Sequence, residues 1–302
     1  MFAKLKIFTR YFLTIFNSHV NIFSNEKVLK NRFFNFFGCQ ILRILIFRFI
    51  LSIKRIFFFR NEDYKSVVTK VDELENKGYL IFDEFLKKEE FNKLKLYYQK
   101  NLENDVSSQE DRYRDRISIS QRIANKQALN KIADPWYEII LKNNDLGKII
   151  EFVTAKKLCN MKNSSIYFEK LFQTNDKKDL PQDPQNYFHR DTFYTSLKFI
   201  YYMDDILIED GPFSYVEKSN KISKWKIKTE FFGSLKRNNK NLRETSVKLD
   251  FSKHKIMNFC LKENSLILVD VSGFHRRLPT KINKGRETIR FSSREHPFSL
   301  SI

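Results

Sequence analysis

The two halves of this chain carry different hydrophobic periods, and that change limits the folds open to it. Up to residue 152 the apolar residues recur at helical spacing. The pattern predicts a helix over Tyr64 to Lys77 stopped at Gly78, a short strand over Gly78 to Asp83, and an amphipathic helix over Glu84 to Lys100 with Phe91, Leu94 and Tyr98 near one face. A further pair of helices is expected over Ala128 to Phe152. Beyond residue 163 short runs rich in Tyr, Phe, Ile and Val are bounded by turn residues. They cover Ser165 to Phe172, Thr195 to Met203, Pro212 to Val216, Ser265 to Val271 and Glu287 to Ser293. Helices first and strands afterwards imply an α+β chain with a mainly β core, the helices packed on an antiparallel sandwich or barrel. The basic, polar stretch from Lys218 to Lys255, with Asn238 and Asn239 in its middle, reads as an insertion between strands and a candidate lid.

Composition excludes several classes. With 42% hydrophobic and 30% charged residues, the 302-residue chain can bury a sizeable core and is not disordered throughout. Its seven glycines include no G-x-G pair, so phosphate loops of the Walker or Rossmann kind have no residues to be built from. Cys39, Cys159 and Cys260 are odd in number and include no C-x-x-C, which points to a reducing compartment. The apolar run Tyr11 to Phe16 is too short for a secretory signal, and a cytoplasmic location is expected.

The net charge of +19 is uneven. Residues 1–60 hold 11 Lys or Arg against the single acid Glu26, together with 14 of the 31 phenylalanines. Read as a helix, Ile41 to Phe59 gathers Arg43, Arg48, Lys54 and Arg55 within an arc of about 140°, leaving Ile, Leu and Phe on the other face. Cations interrupt the run too often for a membrane span. Two readings remain: an interfacial helix with its Phe/Ile face in the headgroup boundary and its arginines on anionic lipid, at the inner face of a membrane, or an amphipathic helix packed on the protein's own body. No nucleic-acid-binding signature is present, and no nucleic-acid partner is expected. A cationic exterior leans toward an anionic substrate.

Five histidines are few enough to weigh singly. His189 and Asp191 form an H-x-D, and in extended chain residues i and i+2 face one way, so imidazole and carboxylate would enter one cavity. His275 follows the apolar strand Ser265 to Val271 and could supply a third ligand. Two histidines and a carboxylate on one face of an octahedral ion leave three positions open, as suits non-haem Fe(II) oxygenases. Arg286 begins a strand on which residues 286, 288 and 290 share a face, and its guanidinium could grip a dicarboxylate's far end. Arg290 is its rival, and either could instead make a surface ion pair worth at most about 1 kcal/mol. Taken alone, a histidine such as His189 or His275 is more often structural, and an aspartate such as Asp191 more often a turn or cap. His19, His254 and His296 have no suitable partners.

These residues, in this order, resemble the phytanoyl-CoA dioxygenase-like proteins, which are Fe(II)- and 2-oxoglutarate-dependent oxygenases. The resemblance covers about residues 65 to 295. It runs through Lys77-Gly-Tyr-Leu-Ile-Phe-Asp-Glu-Phe-Leu86, Phe188-His-Arg-Asp191, Leu197-Lys-Phe-Ile-Tyr-Tyr-Met-Asp204, Gly211-Pro-Phe-Ser-Tyr-Val216, Gly273-Phe-His275 and Gly285-Arg286. One departure is Lys218-Ser-Asn220, where the family often has Gly-Ser-His. The resemblance implies a double-stranded β-helix (jelly roll, cupin-like) with flanking N-terminal helices. Residues 1–60 would form a basic, Phe-rich extension and residues 61–302 the dioxygenase domain. His189, Asp191 and His275 would bind Fe(II), and Arg286 would hold 2-oxoglutarate. Lys198, which recurs in the family's strand pattern, could touch the cosubstrate. With O2 the enzyme would hydroxylate a small or lipid-linked organic substrate, releasing succinate and CO2. The alternatives are a catalytically silent metabolite-binding protein of the same fold, or a cupin-like metal enzyme that uses no 2-oxoglutarate.

Overall fold

Both periods are realised in the computed structural model, which describes residues 32–58, 64–104, 109–113, 116–122, 145–158, 165–173, 184–235 and 249–292. The first part of the chain gives α1 (Arg32–Phe36), α2 (Cys39–Phe58), α3 (Val68–Lys77), β1 (Tyr79–Phe82), α4 (Lys88–Asn104), the strands β2 (Gln109–Tyr113) and β3 (Arg116–Arg122), and α5 (Leu146–Thr154). Helix α3 ends where expected. Gly78 has φ of 92°, its amide reaches back to the Leu74 carbonyl at 2.7 Å, and a Cβ there would lie 2.4 Å from the Tyr215 hydroxyl. Only glycine meets both demands.

The helix expected from Glu84 instead begins at Lys88. Glu84 is left-handed (φ 47°), and Asn264 takes the amides of Phe85 and Leu86 at 2.8 and 3.0 Å, which holds those residues out of a helix. Of the pair expected over 128–152, only α5 falls among the described residues. Strands β2 and β3 lie where the sequence alternates too weakly to announce them.

The second part gives β4 (Ser165–Gln173), β5 (Leu197–Tyr202), β6 (Phe213–Val216), α6 (Lys224–Ser234), β7 (Ile256–Asn258), β8 (Leu266–Asp270), β9 (His275–Arg277) and β10 (Gly285–Ser292). Seven strands form an antiparallel sheet in the order β1-β8-β5-β10-β4-β3-β2, and three more pair as β7-β6-β9. This is an α+β fold with a β core of the double-stranded β-helix kind.

Alternation along the central strands assigns their two faces. Leu197, Phe199, Tyr201, Leu266, Leu268, Ile289 and Phe291 pack with the helices. Ile200, Tyr202, Ile267 and Val269 point the other way, onto Phe213, Tyr215 and Phe259, and so line the space between the two sheets. Since Ile289 and Phe291 face the helices, Arg286, Thr288 and Arg290 must face the inter-sheet space.

Helix α2 is packed on the body of the protein, with Ile44, Phe47 and Leu51 in the helix-side core. Its cations turn inward, the reverse of the lipid-facing orientation that was one of the two sequence readings. Arg43 is fully buried over the Phe193 ring at 3.8 Å, and Arg48 donates to the Asn220 carbonyl. Arg55 reaches the carbonyls of Phe152 and Val153 at 3.0 and 2.6 Å and pairs with Glu75. No described helix is long and apolar enough to cross a membrane.

Candidate metal centre

His189 and His275 are 86 positions apart and meet as an antiparallel bridge. Each amide donates to the other's carbonyl, at 2.9 and 2.8 Å, and the rings stand 4.6 Å apart. The flanking chain is held the same way, the Asp191 amide donating to Val271 O at 3.0 Å and the Val271 amide to Ser196 O at 2.8 Å. Gly273 makes the second loop tight enough. Any Cβ there would fall 1.9 Å from the Tyr215 hydroxyl, which itself donates to Asp270 O at 2.9 Å.

The departure noted at residues 218–220 lies beside this loop. Lys218 adopts φ of 65°, the left-handed conformation that favours glycine, and the Ser219 hydroxyl accepts the Phe274 amide at 2.7 Å. The loop bearing His275 is thus pinned by the middle residue of Lys218-Ser219-Asn220.

Both imidazoles are fixed as to tautomer. His189 Nδ1 lies 2.8 Å from Tyr187 O and His275 Nδ1 lies 3.0 Å from Gly273 O. A carbonyl can only accept, so each Nδ1 carries the proton and each Nε2 presents its lone pair. Those Nε2 atoms lie 3.8 Å from opposite oxygens of the Asp191 carboxylate. One ligand atom from each residue falls within 4.8 Å of the others, and all three side chains are buried. Burial, and next the neighbouring His189, pushes the His275 pKa well below its ordinary value, which keeps this imidazole neutral and free to ligate. The backbone-bonded Nδ1 atoms supply the outer support that metal-ligating histidines usually have. The donor set fits a divalent iron with open positions.

Lys198 donates to Asp191 Oδ2 at 2.8 Å. It orients the carboxylate, a more direct tie to the metal set than the cosubstrate contact considered for it. The rival arginines differ in what they already hold. Arg290 Nη1 bonds Glu169 Oε1 at 2.6 Å. Arg286 is 2% exposed and donates one Nη1 bond to the Gly211 carbonyl, while Nε and Nη2 are buried without a hydrogen-bond partner among the described residues. The Thr288 hydroxyl, two residues along on the same face, is orphaned likewise. Three unsatisfied donors converging in a buried space are costly unless an acceptor comes to them. Burial, with Arg290 beside it, draws the Arg286 pKa down to about 10, so it stays cationic at neutral pH. A carboxylate fits this corner.

Sequence reasoning missed a second buried cluster. Arg190, between the two ligands of the H-x-D, turns away from them into a bidentate pair with Glu230 of α6, at 2.5 and 2.6 Å. Glu230 also accepts from Gln40 of α2 at 3.0 Å, and Lys226 Nζ donates to Ser272 O at 2.7 Å. Helix α6 lies within the stretch considered as a lid, and through these bonds it clasps both ligand loops to α2. The one available signal was a glutamate four residues after a lysine in Lys226-Ile-Lys-Thr-Glu230. Of the remaining histidines, His254 packs against Trp225 with ring centres 4.4 Å apart and the planes tilted by 45°, and His19 and His296 lie outside the described residues.

No protein-family model matches the chain, and no curated protein does. Solved structures do. One is the crystal structure of SnoN, a non-heme alpha ketoglutarate dependent epimerase from nogalamycin biosynthesis, at 10% identity and a TM-score of 0.51, covering 76% of this chain and 82% of that one. Another is EctD from S. alaskensis with bound Fe, at 13% identity and a TM-score of 0.51, covering 78% and 81%. The fold is that of the iron- and 2-oxoglutarate-dependent oxygenases. At such identities the likeness speaks for the oxygenase fold, and the His189, Asp191 and His275 cluster is a separate observation made on this chain's own side chains.

Proposed function

We propose that the protein is an Fe(II)- and 2-oxoglutarate-dependent dioxygenase that hydroxylates a small or lipid-linked organic substrate. The observation that carries this reading is the convergence, in one fold, of a buried His-Asp-His set with an arginine whose donors await an acceptor. His189, Asp191 and His275 would hold the iron, and the backbone bridge between the histidines keeps these two side chains side by side. Arg286 and Thr288 bind the far carboxylate of 2-oxoglutarate, the guanidinium offering Nε and Nη2 as a fork. Bound together, iron and cosubstrate supply the activation of O2, so that one oxygen atom enters the substrate C–H bond and the other leaves in succinate, with CO2. The chain positions these groups, keeps Nδ1 of both histidines protonated and excludes water with its inter-sheet wall of Ile200, Tyr202 and Phe213.

SnoN has been crystallised with Fe3+, alpha ketoglutarate and nogalamycin RO. By that analogy the substrate here is also a small molecule, and the net charge of +19 leans toward an anionic one. The reading includes peripheral contact between residues 1–60 and an anionic membrane. Formation of succinate from 2-oxoglutarate, dependent on ferrous iron and lost in His189→Ala, is the expected result. Turnover unaffected by that substitution would refute the assignment.

A further inference from the structure

Helix α2 is built inside out. Its cations and Gln40 face the protein, while Leu42, Leu45, Phe49 and Ile56 lie along its outer side, Ile56 being 72% exposed. Phe36 and Phe37 at the end of α1 continue the same surface, 68% and 65% exposed. Phe232 of α6 lies exposed nearby, on a helix tied to α1 by the bond from Asn35 to Ser234 O. So many large apolar side chains left exposed on two consecutive helices are the kind of surface that marks a contact site.

One flank of α2 has a different chemistry. At 100° per residue, the side bearing Arg48, Ser52 and Arg55 lies about 90° round the helix from the Leu42, Phe49 and Ile56 side. There it borders an open cavity of about 380 Å³, lined also by Lys221, Asn220 and Thr195. The two acids in its wall are engaged: Glu75 with Arg55, and Asp270 with the amides of Ser196 and Ser272. Arg55 is taken up by Glu75 and two carbonyls, so the cations the cavity offers are Arg48 and Lys221, whose own partners are the neutral Asn220 carbonyl and Asn76. They stand beside an apolar face, the layering of a lipid interface. A second copy of the chain is a poor occupant, because two bodies of +19 repel. An anionic bilayer satisfies both halves of the surface.

We infer that the outer face of α1 and α2 seats in the surface of an anionic phospholipid bilayer, with a headgroup phosphate received in the cavity beside Arg48 and Lys221. This rests on and deepens the membrane contact included in the proposed function: acyl chains meet phenylalanine and leucine, Arg43 stays in the core, and only the headgroup reaches the cationic cavity. Binding is read without turnover, so its failure leaves the oxygenase reading intact.

The test is flotation of the full chain with phosphatidylcholine vesicles, with and without phosphatidylglycerol. The expected result is binding that needs phosphatidylglycerol, falls at least about a hundredfold in Phe36→Ser/Leu42→Ser/Phe49→Ser, and weakens in Lys221→Gln. A second variant, Phe49→Trp, covers the case in which the triple substitution unfolds the chain. Its emission is expected to shift to the blue on anionic vesicles and to be quenched by brominated acyl chains. Unchanged binding by the triple variant would overturn the proposal, and so would equal binding to phosphatidylcholine alone. A Phe49→Trp emission already blue-shifted without vesicles would place a protein segment on this face, and a dimer dissolved by the triple variant would make it a self-interface. Either outcome overturns it as well.

Discussion

At the scale of single residues, the two arginines of β10 separate by what each holds. Arg286→Gln removes a charged fork from a buried corner, and losses of that kind run to about 2–5 kcal/mol, so the KM for 2-oxoglutarate should rise at least about 30-fold with little change in melting temperature. Arg290→Gln should do the opposite. It strands the buried Glu169, whose carboxyl the arginines hold below its ordinary pKa against the opposing effect of burial, and should cost about 3 kcal/mol in urea unfolding while sparing that KM. Lys226 gives a pH signature. Burial draws its pKa down to about 8, from 10.5. Between those values the unfolded chain binds more protons than the folded one, so stability rises with pH across that window, by an amount on the order of 3 kcal/mol. Below pH 8 both states are charged and the slope vanishes. Unfolding of wild type against Lys226→Met, measured from pH 7 to about 10.5, should show this rise in the wild type alone.

At the scale of elements, legibility followed the strength of the local pattern. Strands β5 and β8 are apolar enough to be found by eye, and Gly78 announces the end of α3. Strand β9 carries His275 but is three residues long and wholly polar, so nothing in His275-Arg-Arg277 predicts pairing with β6. The start of α4 was misplaced because Asn264, some 180 residues away, decides it. For the site, the H-x-D and His275 were readable as types and order. The tautomers and the clasp from α6 were not, since each depends on a tertiary partner. Helix α2 shows the limit most clearly, because an amphipathic period gives two faces without saying which is buried. One expectation belongs here: Gly78→Ala should destabilise the fold by about 2–4 kcal/mol, because the new methyl group meets the Tyr215 ring at a positive φ. Thermal or urea unfolding checks it, and an unchanged midpoint would mean that Tyr215 moves freely.

At the scale of the whole molecule, the metal set joins segments from both sheets. Asp191 and His189 lie in the chain leading to β5, and His275 begins β9 of the smaller sheet. An ion bound by all three should therefore bind the folded chain far better than the unfolded one. At a hundredfold excess over its Kd that amounts to about 2.7 kcal/mol. Ferrous iron, or cobalt as a redox-inert substitute, should raise the melting temperature of the wild type under anaerobic conditions and leave that of His275→Ala unmoved. The reciprocal backbone bridge between the histidines has a consequence for assembly in the cell. A nascent chain that has not yet paired its two sheets offers the ion only a weak bidentate hold, so stray transition metals have little chance of trapping a misfolded form. Tight binding of the ion is therefore expected to follow the pairing of the two sheets and not to precede it.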